Sequence, residues 1–430
     1  MSRAGPPGPA KLTRREVLAS AAALASLPAT PLSAQTSHEW KNWSGSVQCA
    51  PSEMARPTDV DGVLAAVRDA VSRGQHVRAV GSGHSFTPLG ASDETLLVLA
   101  RMRGIETIDS ARRQATVLGG TKLYHLGKPL RQAGLAMKNL PDIDRQAVAG
   151  AIATGTHGTG KDLGNLSTHV VGLEMVSGEG ELVTCSLDKR PDLLRAGQVS
   201  LGALGIVTRI TLQLEPTYRL HEKSWRATFE ECFAGLERSI ADNEHFEFFW
   251  VSGLDACLMK TLNKTDNPDD FEASNPDTFE GERIGHWDEI YPSERNTLFN
   301  EIEFSLPEEH GPDCLSELRE LMIGKYKEVT WPLEYRSVAA DDIPLSPHYG
   351  RASVTISAHE PARASYEGFF PDVEAIFRNH EGRPHWGKMH RLTAEDLEPL
   401  YPKWDEFRKA RQELDPKGTF LTPYLRELLG

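Results

Sequence analysis

Residues 78–90 read RAVGSGHSFTPLG. The hydrophobic run Val77, Ala79 and Val80 enters a tight turn, Gly81-Ser82-Gly83, and His84, Ser85 and Phe86 follow at once. Glycines in such a turn let the backbone approach a ligand closely, most often a phosphate held by N–H groups. A loop that only had to hold phosphate has no need of a bulky, polar histidine at position 84. A second small-residue stretch, VAGAIATGTHGTG, occupies residues 148–160. In it Gly150, Gly155, Gly158 and Gly160 are interleaved with Thr154, Thr156 and His157. One glycine-rich loop reads as an ordinary turn, whereas two, the first behind a strand, favour a dinucleotide. Neither is the G-x-G-x-x-G of a Rossmann unit, because position 86 is Phe, and neither is a P-loop.

Around these loops the chain alternates helix and strand. DVDGVLAAVRDAVSR (59–73) has apolar residues at helical spacing, with acids early and arginine late. HVRAV, TLLVL (95–99), QATVLGG (114–120), LVTCS and GIVTRITLQL (205–214) read as strands, and 122–134 as a helix closed by Gly134. Residues from about 40 to 215 therefore form βαβ-like, mixed units. After Pro216 the texture changes. FEFFWVS (246–252) and SVTISAHE (353–360) alternate like sheet strands, and CLSELRELMIGKY is an amphipathic helix. Between them NKTDNPDDFEASNPDTFEGE reads as a long acidic surface loop. The end of the chain gives two short helices interrupted at Pro402, and no internal repeat is visible. The reading is α+β with two domains, 35–217 and 218–430, behind a leader.

That leader is residues 1–34. Lys11, Arg14 and Arg15 precede an alanine-rich apolar stretch from Val17 to Leu27, then Pro28 and small residues. This is the pattern of a signal peptide, and the adjacent arginines are those of a twin-arginine signal, which implies cleavage after Ala34 and a bacterial periplasmic or secreted location. The 430 residues carry a formal net charge of -14, which disfavours nucleic acid and anionic membrane surfaces and suits a small neutral substrate. No apolar run approaches the roughly 20 residues of a membrane span. The five cysteines are scattered without a C-x-x-C pair, so they suggest structural thiols and no metal site.

A polar set marks the second half: Glu334 and Arg336 in EYR, His359, and His385, Lys388 and His390 in HWGKMH. Residues two apart on a strand face the same side, so Glu334 and Arg336 share a face. Taken singly, each fits an ordinary surface ion pair as well as a site.

Together, VGSGHSF, VAGAIATGTHGTG, YRSVAADDIPLSPHYGR and RPHWGKMHRLTAEDLEPLYP resemble the aldonolactone oxidase and alditol oxidase group of the vanillyl-alcohol oxidase flavoproteins, from about Trp40 to Leu425. The resemblance implies a two-subdomain FAD-binding domain and a substrate domain with a mixed or antiparallel sheet. It implies FAD on Gly81, Ser82, Gly83, Ser85, Gly150, Thr154, Gly155, Thr156, His157, Gly158, Gly160 and Ile206, with Pro141 beside flavin C4a. It also answers the question of His84, which in many members of the group is bonded covalently to the flavin 8α-methyl carbon; a neutral imidazole is a competent nucleophile there. By the same resemblance Arg336 and Lys388 stabilise the charge that develops as hydride leaves a CH–OH group for flavin N5, and Glu334 orients Arg336 or a substrate hydroxyl. The proton acceptor departs from the group's pattern: His359, two residues from Ser357 and on its strand face, is expected to act in place of the histidine that alditol oxidases carry there.

Two departures shape the substrate. Ser357 stands where alditol oxidases carry a histidine, with His359 on the same strand face, and Pro141-Asp142 replaces the small residues usual there. Both favour a sugar-derived aldonolactone, with a terminal hydroxyl of an alditol as the alternative and oxygen or another acceptor taking the electrons. A flavin or sugar carrier without turnover would have no use for cations at the site of hydride loss.

Overall fold

The computed structural model describes residues 38–275, 278–292 and 297–430. The leader, with its paired arginines, lies outside the described residues.

Three strands, β1 (Glu53–Ala55), β2 (Val77–Val80) and β3 (Thr95–Val98), form a parallel sheet with β3 central. Helix α1 (Val60–Ser72) makes the crossover. Asp59 caps it by accepting a 2.8 Å hydrogen bond from the Gly62 N–H, and Val63, Val67 and Ala70 face Val77 and Leu97 in a small core. A second, antiparallel sheet joins β4 (Ile105–Asp109), β5 (Gln114–Leu118), β6 (Val170–Val176), β7 (Leu182–Ser186) and β8 (Ile206–Gln213) in the order β7-β6-β8-β5-β4. Helix α2 (Tyr124–Gln132) ends before Gly134, whose φ of 76° is the left-handed conformation that glycine tolerates. The VAGAIA half of the second glycine stretch is not a loop: Val148–Ala153 is a short helix, α3, with Val148, Ala151 and Ile152 buried.

The rest of the chain builds one nine-stranded sheet. Its strands are β9 (Arg219–Thr228), β10 (His245–Val251), β11 (Ala256–Thr265), β12 (Phe271–Asn275), β13 (Glu280–His286), β14 (Phe299–Pro307), β15 (Leu333–Val338), β16 (Ser353–Pro361) and β17 (Arg383–Pro384). The order is β12-β13-β9-β11-β10-β15-β16-β14-β17. Of the acidic tract read as a loop, residues 266–270 are irregular as expected, but Phe271–Asn275 and the segment from Glu280 are a pair of strands at the sheet edge. Every residue of β12 is exposed, so Glu272, Ser274 and Asn275 lose no solvation there and the backbone pairing with β13 decides the conformation.

Alternation gives the sheet two unlike faces. Phe246, Phe248, Trp250, Tyr335, Ile356 and Phe304 point to one side and are buried in the main core with helices α4 (Phe229–Asp242), α5 (Gly311–Gly324) and α6 (Phe369–Asn379). The other side carries a row in direct register, Ser224, Lys260, Glu247, Arg336, Thr355 and Ser305, one residue from each of six neighbouring strands. The chain's last segment then returns to the first half. Val77 donates to the Thr419 carbonyl at 2.8 Å, and the buried Arg78 guanidinium donates to the carbonyls of Leu89, Leu201, Gly202 and Phe420. Burial lowers the Arg78 pKa to about 10, with Asp415 partly opposing. Among the described residues no helix is long and apolar enough to cross a membrane.

Candidate active site

A cavity of about 730 Å³ runs from the Gly81–Ser85 turn to the polar face of the large sheet. Its first wall is small and mostly uncharged: Gly81, Ser82, Gly83, His84 and Ser85, then Ala149, Gly150, Thr154, Thr156 and His157, with Ile206 and Pro141 beside them. The two stretches touch, since a Cβ on Gly81 would lie 2.5 Å from the Cβ of Ala147. A Cβ on Gly150, by contrast, would meet nothing within 4 Å. This cradle fits a dinucleotide, held by backbone groups at close approach. Gly155, Gly158 and Gly160, expected at the cofactor, do not line the cavity. Gly158 is small so that the Leu140 carbonyl and Asn139 can pack 2.3 and 2.5 Å from where its Cβ would be; Gly160 (φ 139°) donates to the Ser337 carbonyl at 2.8 Å.

His84 lies on the cavity, stacked on Trp43 with ring centroids 5.2 Å apart. The Trp43 N–H donates to the Gly83 carbonyl (2.7 Å) and Asn42 donates to the Ser85 carbonyl (3.0 Å), which fixes the turn. Burial, then the charges of Lys388 and Lys122, pull the His84 pKa down to about 4, so the ring is neutral at physiological pH.

The opposite wall is the polar sheet face, where Glu334, Arg336, His359 and Lys388 come together. Arg336 pairs with Glu334 at 3.3 Å and Glu303 at 3.1 Å. Lys388 pairs with Glu301 and lies 3.8 Å from Glu303, which also meets His157 Nε2 at 2.8 Å. Burial alone would raise both acids, yet Lys388 and His359 bring Glu301 down to about 2, and Arg336, His157 and Lys388 hold Glu303 well below the usual range. Burial likewise opposes the Arg336 charge and is outweighed by Glu334 and Glu303. Although Arg336 is only 8% exposed, its Nε–H has no partner among the described residues. His359 Nδ1 meets the Pro332 carbonyl at 2.9 Å and so carries the proton, leaving Nε2 facing Ser357 Oγ at 3.4 Å and Glu301 at 3.5 Å. Burial lowers the His359 pKa, but Glu301 and Glu334 more than compensate and raise it above the ordinary imidazole value.

Several wall residues were not read from sequence: Glu222, Glu247, Lys260, Arg283, Glu301 and Glu303. The signal was present in FNEIEFSLP (299–307), where Glu301, Glu303 and Ser305 alternate with Ile302, Phe304 and Leu306, all buried. Acids on the buried polar side of a strand need partners, and so point to a site.

A backbone cradle for a dinucleotide facing a wall of buried, paired cations and carboxylates defines a flavin-dependent oxidoreductase. Comparison with known proteins agrees. Residues 51–186 match the FAD binding domain family, and 210–288 and 281–428 match the D-arabinono-1,4-lactone oxidase family. The chain is 34% identical over 426 residues to L-gulono-1,4-lactone dehydrogenase of Mycobacterium tuberculosis, covering 91% of this chain and 99% of the relative. It is 28% identical to L-gulonolactone oxidase of Mus musculus (91% and 98%) and 29% to alditol oxidase of a Streptomyces species (90% and 98%). It therefore belongs to the aldonolactone oxidase family of FAD-dependent oxidoreductases. Among solved structures, cholesterol oxidase from B. sterolicum superposes with a TM-score of 0.78 at 16% identity (95% of this chain, 100% of that one), and chitooligosaccharide oxidase with 0.74 at 15% (91% and 94%); these show the shared two-domain fold.

Proposed function

We propose that the protein oxidises a CH–OH group of a sugar-derived aldonolactone. The observation that carries this reading is the buried Arg336 guanidinium, which lines the cavity and is held among Glu334 and Glu303, with Lys388 on the same Glu303. Bound FAD supplies the hydride acceptor. The chain supplies the rest. Arg336 and Lys388 place positive charge where the hydroxyl oxygen gains electron density, and need no reorganisation because their carboxylates already hold them. Glu334 orients Arg336. His359 takes the hydroxyl proton at Nε2, since Nδ1 is committed to the Pro332 carbonyl. The named relatives that act on lactones support the substrate class, and the alditol oxidase keeps polyols as the second class to be tried. Anaerobic mixing with a panel of aldonolactones and alditols tests this directly. Bleaching of the flavin absorbance by a lactone is expected; a flavin that stays oxidised with the whole panel refutes the reading.

The flavin is attached covalently through His84. The neutral, stacked ring beside the cradle supports this, as does its place in the GSGH turn. Acid-precipitated protein should stay yellow, and His84→Ala should release its flavin to the supernatant; wild-type flavin washing free in acid would refute attachment. Residues 1–34 direct export by the twin-arginine route, supported by Arg14-Arg15 and the apolar stretch behind them. A reporter fused behind them should reach the periplasm and be retained when both arginines are changed to lysine.

A further inference from the structure

The polar face of the sheet extends beyond the groups that act on the reacting hydroxyl. Lys260 lies on β11, between Ser224 on β9 and Glu247 on β10. Its Nζ bonds Glu247 at 2.8 Å and Asp142 at 3.4 Å, and its side chain is only 13% exposed, on the cavity. Asp142 comes from the loop of the FAD-binding half that also carries Pro141. Beside this pair Arg283 holds Glu222 with two hydrogen bonds of 2.8 and 2.7 Å. None of this is needed to hold the dinucleotide or to take a proton.

An ammonium group has three donors and no acceptor. Two of those of Lys260 are taken by carboxylates from different parts of the fold, so the group is fixed before any ligand arrives. The third is left for the cavity. Two strand spacings separate Lys260 from Arg336, about 10 Å between backbones. That is close to the length of one five- or six-carbon sugar with a hydrogen bond at each end. We propose that Lys260 is a specificity-determining residue: clamped by Glu247 and Asp142, it donates its remaining proton to an acceptor oxygen of the substrate remote from the carbon that loses hydride.

The surroundings define what that oxygen belongs to. The Lys260 charge is already matched by Asp142 and Glu247, and Glu222 and Glu334 line the same chamber. A ring-opened aldonate would bring its own carboxylate into this field without an unmatched cation to meet it. A neutral lactone brings carbonyl and hydroxyl acceptors that need only a donor. The clamp thus selects the lactone over its hydrolysed acid.

This inference rests on the lactone reading, and the experiment separates the two. Holoenzyme is reduced anaerobically with L-gulono-1,4-lactone, or whichever aldonolactone bleaches the wild type fastest, and with the matching aldonate salt. Lys260→Met should raise the lactone Kd about 10- to 100-fold, the range for a lost hydrogen bond to a charged group. The limiting reduction rate should fall less than about threefold. Asp142→Asn, which takes one of the two carboxylates from Lys260 and leaves it paired with Glu247 alone, should improve aldonate relative to lactone by about fivefold or more. Should Lys260→Met fail to fold, Lys260→Gln with Asp142→Asn removes both charges together and should show the same Kd increase. A lactone Kd within twofold of wild type in whichever of these folds, or a reduction rate that falls in step with affinity, overturns the assignment while the lactone reading stands. A wild type that no aldonolactone reduces overturns both.

Discussion

Along the cavity wall built by residues 81–85 and 147–157, His84 and His157 are the ionisable side chains, and the work of holding a ligand falls to the backbone. Along the wall built by the large sheet, ionisable residues from one strand after another, Glu222, Lys260, Glu247, Arg336, Glu334, His359, Glu301 and Glu303, face the cavity, and most are paired with a neighbour. The first wall is shaped by what is absent, a Cβ at Gly81 above all. The second is shaped by charge already neutralised inside the protein. Their sensitivities should therefore differ in kind: the first to a methyl group, the second to a charge.

The largest effect belongs to the charged wall. Lys388→Met should slow flavin reduction by lactone by about 100- to 1,000-fold, because losing one positioned stabiliser of a developing anion costs about 2.7–4 kcal/mol. Flavin content should be near normal, since Lys388 is not in the cradle. Arg336→Met should slow reduction as much and also destabilise the fold, as it strands Glu303 and Glu334 with no guanidinium partner. Stopped-flow reduction with thermal unfolding of both variants checks the pair. Reduction rates near wild type would leave the cations as structural ion pairs and erase the contrast between the walls.

The opposite signature is expected from Gly81→Ala. Its new Cβ meets Ala147 at 2.5 Å, so the two stretches of the cradle must part. Overpacking of this kind costs about 1–3 kcal/mol. Purified variant should carry less flavin, while the fraction that is loaded reduces at close to the wild-type rate. Full occupancy would mean the two stretches are not the cofactor's clamp.

The same contrast explains what could be read from the amino-acid string. The cradle is nearly contiguous, so GSGH and the Thr-Gly-Thr-His stretch stood out together as a pair of small-residue loops, which favours a dinucleotide where one alone reads as a turn. Gly155, Gly158 and Gly160 lie off the cavity; a glycine that admits a neighbouring carbonyl, as at Gly158 and Gly160, or a left-handed backbone, as at Gly155 (φ 73°), looks the same in sequence as one that admits a phosphate. The charged wall is assembled from strands spread over residues 219–361. Glu334, Arg336 and Lys388 were found through short motifs, but Lys260, Glu247 and Glu301 sit in segments whose meaning depends on register with distant strands. The acidic edge strand was missed because composition argues for a loop wherever no side chain is buried.

A smaller effect should follow from pH. His359 must be neutral at Nε2 to accept the hydroxyl proton. Burial would keep it so, yet Glu301 and Glu334 raise its pKa above 6.5. The limiting reduction rate should therefore be level at high pH and fall about tenfold per unit below the raised pKa, with a midpoint above 6.5. His359→Gln should lower the plateau and remove that limb. An unchanged profile in the variant would pass the proton to another group.

The smallest effect tests where the two walls meet. Pro141 and Asp142 line the cavity, whereas Leu140 is turned into the core. The loop is held from both sides: the Leu140 N–H donates to Asn139 Oδ1 at 2.9 Å, and Asp142 bonds Lys260. Proline's ring is larger than the side chain of Gly or Ala, and its fixed φ stiffens the loop. If Pro141 lies over the flavin, it narrows the route by which oxygen reaches a reduced cofactor, and an artificial acceptor should outpace oxygen in turnover. Pro141→Ala should then speed reoxidation by oxygen about three- to tenfold, an effect of one side chain's bulk, while leaving reduction by lactone nearly unchanged. Mixing anaerobically reduced wild type and variant with oxygenated buffer measures both rates. Wild-type reoxidation already as fast as turnover, with no gain in the variant, would show that Pro141 shields nothing and that this boundary belongs to the substrate wall alone.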